Sequence, residues 1–522
     1  MKRAFINARI WRSENNAFLV EDNMFTMIGS NEEIEKNASD ADEVVDLHGA
    51  FVVPGFIDSH MHLLEYGQFL SELILSDCTS KQEVLEKTAR RAAGMKQGEW
   101  LRGQGYNEEK FDVTEEIEKT DLDAISRDIP ITLTRVCGHK MVANSKALEL
   151  AGMDDTSMVE GGTIDFEKGI LEETAITVMH NEGWPKPDAE TIRRSIMRAM
   201  KEANRFGITA VGSDDFLSGT DDWRLVLDTF MKLAFRNELT VRVNEQCEFV
   251  SPEEYARFLD EGYTADVGDD LFRIGPLKLI TDGSLGARTA ALLTPYSDDP
   301  KTLGIPVYRK PEIETWVKLA SDYNMPVIAH AIGDEAVKNV LDVFETNVLE
   351  GNPLHSGLVH CQIMNEEEIQ RTIAMNLCCY FQSLFIDTDA PILESRVGKE
   401  RAETSYPFGT LFHNVIAANG SDAPVETPDV LKGIELAVTR TTLDGKASMN
   451  PAECLSVDEA IESYTAAGAR AFFADDRYGA IKEDLYADFA VLDRDITAID
   501  PHTIHETKVL MTVMNGETVF ER

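Results

Sequence analysis

The chain has 522 residues, with 50 Lys and Arg against 92 Asp and Glu, a formal net charge of −42, and 43% hydrophobic residues. This balance supports a large buried core, while the acidic excess argues against nucleic acid and against anionic membrane surfaces, which repel it. No apolar run approaches the roughly 18 residues that cross a bilayer, and the seven cysteines, an odd number without a CxxC pair, read as reduced thiols rather than a disulfide framework or a zinc knuckle.

The N-terminus, Met1 to Arg9, is basic but is not followed by the apolar stretch of a signal peptide, so a cytoplasmic protein is expected. Lys2–Arg9, Phe18–Ile28 and Glu43–Asp46 read as short strands. At the other end Asp488–Leu492 and Lys508–Phe520 do the same, the latter with an Asn515-Gly516 turn suited to a hairpin. Neither end has the apolar surface for its own core. Residues 1–50 and 480–522 are therefore expected to pair into one small β-domain.

Between them, over 51–479, the apolar runs Phe51–Ile57, Gly207–Gly212, Thr240–Gln246, Arg273–Thr281, Pro326–Ala329, Ser356–Val359, Met375–Phe381 and Val415–Asn419 follow one another. They are continuous rather than alternating, as parallel strands covered on both faces are. Helical patterns such as Ala189–Arg205, Ala336–Glu350 and Glu366–Ala374 separate several of them, which predicts a (β/α)8 TIM barrel. Roughly 150 residues part the first two runs. That interval predicts an inserted lid subdomain at about 66–185, covering the barrel mouth.

Polar residues follow these runs in a pattern. His60 and His62 come after the first, in Gly55-Phe56-Ile57-Asp58-Ser59-His60-Met61-His62; His330 and His360 end the fifth and sixth; Asp422 closes the eighth. In extended chain, residues i and i+2 point the same way, so an HxH presents two imidazoles to one metal. A barrel gathers its C-terminal strand ends at one face. Four histidines and a carboxylate there have the composition of a metal centre. Each alone has a bland alternative, a loop residue that hydrogen-bonds locally.

This set resembles the amidohydrolase superfamily. The strings Gly138-His139-Lys140-Met141-Val142-Ala143-Asn144-Ser145-Lys146-Ala147-Leu148, Leu277-Lys278-Leu279-Ile280-Thr281-Asp282-Gly283-Ser284-Leu285-Gly286-Ala287-Arg288-Thr289, His330-Ala331-Ile332-Gly333-Asp334 and Ser421-Asp422-Ala423-Pro424-Val425 are similar to the branch that includes N-substituted formamide deformylase. The resemblance spans essentially the whole chain. It implies a distorted barrel with the chain ends in a small β-sandwich. It also implies one or two divalent metals, usually zinc, held by His60, His62, His330, His360 and Asp422. Lys278 matches the lysine that many relatives carry carboxylated, bridging two metals. The alternative is an ammonium, which cannot ligate a cation, paired with Asp282 or another carboxylate beside a single metal.

The expected reaction is hydrolysis of a carbon–nitrogen bond in a small-molecule amide, N-substituted formamide or cyclic amide. Metal-activated water attacks, and Asp422 serves as general base. A mononuclear deaminase-type hydrolase and a non-catalytic metal-binding regulatory protein are the alternatives, and homo-oligomerisation stays open. His139, in the insertion, is a candidate to bind the substrate carbonyl or to brace the lid. Arg288 is a candidate to bind a substrate carboxylate or to pair with a surface acid. Asp58 is read as orienting an imidazole or capping its strand, and Trp100, Tyr106 and Phe111 as lining a pocket or as core.

Overall fold

The computed structural model describes residues 1–96, 98–113, 115–136, 139–159 and 162–522, and the chain forms two compact units, Met1–Gly67 with Ala189–Arg522, and Gln68–Asp188. The first unit holds eight strands: β1 (Phe56–Met61), β2 (Ile208–Ser213), β3 (Arg242–Cys247), β4 (Phe272–Ile280), β5 (Val327–Ala331), β6 (Gly357–His360), β7 (Cys378–Phe381) and β8 (Ala417–Asn419). They lie side by side in chain order, every pairing parallel. The ring closes between its ends, where the Asp422 amide donates to the His60 carbonyl and the His62 amide to the Ala423 carbonyl, both at 2.8 Å. Every residue of β1, β2 and β3 is buried, which is why these strands read as unbroken apolar runs. The expected TIM barrel is therefore the fold, and Ala189–Arg205 and Glu366–Ala374 are helices as read.

One boundary needs correcting. Phe51–Ile57 is not one strand: Phe51–Pro54 belongs to a different sheet, and β1 starts at Phe56. The break falls at Pro54-Gly55, where Pro lacks a donor. A Cβ on Gly55 would stand 2.2 Å from Thr209 Oγ1, so only glycine passes this close to β2. The barrel segment consequently begins after residue 54, and β1 runs through His60 with His62 just beyond.

The chain ends form two sheets. One contains Lys2–Ile6, Ala17–Glu21, Met24–Gly29 and Glu43–Asp46; the other Arg9–Ile10, Phe51–Pro54, Phe489–Leu492, Val509–Met514 and Glu517–Glu521. The expected strand Phe18–Ile28 is a hairpin, turning at Asp22 with a φ of 55°. Asn515 and Gly516 both adopt positive φ, 55° and 76°, as a tight hairpin turn requires. Phe5, Phe18, Phe25 and Phe489 pack together in one core, with Phe5 and Phe18 stacked at 5.0 Å, so residues from both ends share the apolar burial that neither end has alone.

The Gln68–Asp188 unit has its own six-stranded sheet, ordered Gly162–Asp165, Ile170–Glu173, Lys140–Ala143, Ile131–Arg135, Leu101–Tyr106, Leu73–Ile74. Tyr106 and Phe111 are buried in its core and Trp100 packs against a second cluster, so these aromatics are core. Cys137 and Gly138, the latter opening one of the quoted strings, lie outside the described residues. The six described cysteines are all free thiols.

Candidate metal centre

Each barrel strand delivers a polar side chain to its C-terminal end. His60 from β1, His360 from the end of β6 and Asp422 from the loop after β8 are buried, with ligand atoms all within 4.8 Å of one another. Asp422 Oδ1 lies 3.3 Å from His60 Nε2 and 3.3 Å from His62 Nε2. The His330 ring, from β5, is 4.4 Å from the His360 ring. Lys278, from β4, places Nζ 3.4 Å from His60 Nε2. Six expected ligands, far apart in sequence, thus meet in one neighbourhood. His360 and Asp422 have φ of 80° and 59°, a region that costs non-glycine residues of order 1 kcal/mol or more and persists where the surroundings dictate it.

The four imidazoles are held in a common sense. His60 Nδ1 is 2.5 Å from Gln246 Oε1, His62 Nδ1 is 2.8 Å from the Asp214 carbonyl, His330 Nδ1 is 3.0 Å from Asp282 Oδ1 and His360 Nδ1 is 2.7 Å from Gln382 Oε1. The glutamine orientations are themselves fixed, since Gln246 Nε2 donates to the Ser59 carbonyl and Gln382 Nε2 to the Tyr380 carbonyl. An acceptor at every Nδ1 makes that nitrogen the N–H and leaves Nε2 of a neutral ring as a lone-pair donor. This donor set fits a divalent cation.

These acceptors escaped the sequence reading. Asp214 follows β2, Gln246 lies in β3, Asp282 follows β4 and Gln382 follows β7. Their signal was the same as that of the histidines, a polar residue at the end of an apolar run. Asp282 has the heaviest duty: Oδ1 also accepts from the Ile332 amide, and Oδ2 from those of Ala291 and Gly333. Asp282→Asn puts an amide N–H where those donors need an acceptor. It is expected to weaken metal affinity about 10- to 100-fold, read by competition with a chromogenic chelator.

For two residues the sequence left alternatives open, and the structure shows one of each. Lys278 meets Asp214, at 3.3 Å and with both side chains buried, rather than Asp282, which is occupied by His330. Among the described residues no hydrogen bond joins Asp58 to an imidazole; its Oδ1 accepts from the backbone amides of His60 and Ser421, tying β1 to the β8 loop.

Burial, then the charge of Lys278, presses the His60 pKa down to about 4. Burial acts the same way on His62, but the bond to Asp422 and the charges of Asp214 and Asp422 outweigh it and raise that ring to about 10. Asp422 is buried, yet the bonds from His60 and His62 hold it well below the usual carboxylate range. A metal held by this set would have to displace the proton that His62 keeps at neutral pH.

Arg288 is engaged elsewhere. Its guanidinium grips Asp298 at 3.0 and 3.1 Å, with Arg396 on the same carboxylate, and among the described residues no hydrogen bond joins it to the histidine cluster. His139 lies in the Gln68–Asp188 unit, exposed, with Nδ1 3.0 Å from Glu173 Oε2.

Comparison with known proteins places this arrangement. The model of the amidohydrolase family matches residues 43–520. A putative amidohydrolase, YtcJ, of Bacillus subtilis (strain 168) is 34% identical over 518 residues, 97% of this chain and 96% of that protein. N-substituted formamide deformylase of Arthrobacter pascens is 25% identical over 524 residues, 97% and 95% of the two chains. Among solved structures, an uncharacterized metal-dependent hydrolase from Pyrococcus horikoshii OT3 superposes with a TM-score of 0.82 at 28% identity, over 96% of this chain and 99% of that one.

Proposed function

The chain belongs to the amidohydrolase family, and on that premise we propose that it is a metal-dependent hydrolase cleaving the carbon–nitrogen bond of a small amide, N-substituted formamide or cyclic amide. The observation that carries this reading is that Nε2 of His60 and of His62 each face the Asp422 carboxylate, with His360 in the same buried cluster and the His330 ring beside that of His360, while an acceptor holds every Nδ1. The likeness to N-substituted formamide deformylase supports the substrate class.

When bound, a divalent metal, zinc in this reading, lowers the pKa of water from about 15.7 to about 7 and polarises a carbonyl. His60, His62, His330 and His360 would hold it. Asp422 takes the proton of the attacking water and returns it to the leaving nitrogen, a role suited to a carboxylate kept ionised by two imidazoles. Gln246, Asp282 and Gln382 keep the rings from turning.

Lys278 decides between one metal and two. Carboxylation by CO2, with loss of a proton from the amine, would turn this side chain into a carboxylate able to supply oxygen ligands to divalent metal; we place that modification here because the side chain is buried 3.4 Å from His60 Nε2. Its pairing with Asp214 as an ammonium is the observation that favours the one-metal, deaminase-type reading. Metal analysis after zinc and bicarbonate loading is expected to give about two ions per chain, falling to about one or fewer in Lys278→Ala. One ion in both proteins sinks the bridged site, and none in either sinks the metal-dependent reading.

A further inference from the structure

Glu248 stands one residue beyond β3, and its carboxylate has no assigned task. Gln246, two residues earlier, points at His60. In extended chain i and i+2 share a side, so Glu248 lies on the side of the chain that Gln246 turns to His60, one step nearer the C-terminal end of the barrel. The next residue, Phe249, turns the opposite way and is buried among Phe216, Trp223, Tyr255 and Phe258, with ring centroids 5.0 to 6.0 Å away. That aromatic anchor fixes the direction of Glu248.

The charges Glu248 feels are those of the site itself: Asp214, Lys278 and His62, with Glu65 beyond. Burial, then the charge of Asp214, pushes its carboxyl up to about 7, the mark of a negative charge short of a partner. Among the described residues no hydrogen bond or ion pair engages it. The Tyr308 phenol is raised by burial and then by the charge of Glu248. A half-buried carboxylate without a protein partner at the end of a barrel strand is suited to recognise a cationic nitrogen.

We infer that Glu248 is a specificity-determining residue that selects amides carrying an ammonium or guanidinium group remote from the scissile bond. The inference rests on the amide-hydrolase reading for the scissile group alone; the cation preference is a property of binding and is tested apart from turnover.

Two isosteric probes separate the cases, N-formylputrescine, with a terminal ammonium, and N-pentylformamide, with a methyl in its place. Titration calorimetry with the zinc-loaded protein is expected to show the cationic probe binding about 10- to 100-fold tighter, the range for a charge-assisted hydrogen bond. That ratio collapses toward one in Glu248→Gln, and Glu248→Lys favours N-formyl-β-alanine instead. Equal binding of the two formamides by the unaltered protein overturns the inference, as does a ratio that survives in Glu248→Gln. Selective binding without hydrolysis of either probe upholds the role of Glu248 and counts against the hydrolase reading.

Discussion

Asp422→Asn is expected to lower kcat by about 10²- to 10⁴-fold, the range contributed by a positioned general base. The substitution keeps shape and nearly all packing. It removes the proton acceptor, and it puts an amide where two imidazole Nε2 atoms now face one carboxylate oxygen at 3.3 Å. Because Asp422 also belongs to the cluster His60, His360 and Asp422, metal content has to be measured on the same sample. Retained metal with a collapsed kcat assigns the proton transfer to Asp422. Lost metal assigns it a ligand's role. A kcat within about threefold of the unaltered protein, with metal bound, places the base elsewhere.

The histidines of this centre were legible because each ends an apolar run, and a run long enough to be a buried strand has few reasons to finish on an imidazole. Lys278 was legible only through the resemblance. Inside an apolar run it reads equally as a strand residue reaching for a carboxylate, and which carboxylate is set by the closed barrel: β2, two strands away, brings Asp214 to it, while Asp282 is drawn to β5 by His330. Gln246 and Gln382 were missed for the same reason. A glutamine at a strand end is unremarked until the ring it orients is seen across the sheet. The division of Phe51–Ile57 between two sheets left no hydropathy signal, since both pieces are buried. Pro54-Gly55 was the only trace, and its force comes from Thr209, more than 150 residues away. Arg288 was legible only as a choice between a substrate carboxylate and a surface acid; with 92 acids in the chain a surface partner is seldom far, and the structure gives it Asp298.

Asp488→Ala is expected to destabilise the first unit by about 3–5 kcal/mol, the cost of leaving a buried charge without its partner. The partner is Arg242 of β3. Its Nε and Nη2 meet the two Asp488 oxygens at 2.6 and 3.1 Å, and the two side chains are 3% and 2% exposed. Arg242 further donates to the Asp270 carbonyl and lies over the Tyr486 ring at 4.3 Å, while Asp488 accepts from the Asn515 amide. The pair therefore joins a barrel strand to the strand Phe489–Leu492 and to the hairpin turn at Asn515-Gly516, and the Asp488 carbonyl takes the amide of Gly55, where β1 leaves the terminal sheet. Alanine at 488 strands a guanidinium in a site too dry to solvate it, so unfolding is expected to begin at the junction between barrel and terminal sheets. Replacing both residues, Arg242→Met with Asp488→Ala, should recover much of the loss, because an apolar pair of similar volume carries no unpaired charge. Denaturant midpoints of the two variants decide it. If the double variant is as unstable as Asp488→Ala, the cost lies in lost backbone anchoring at Asn515 rather than in the orphaned charge.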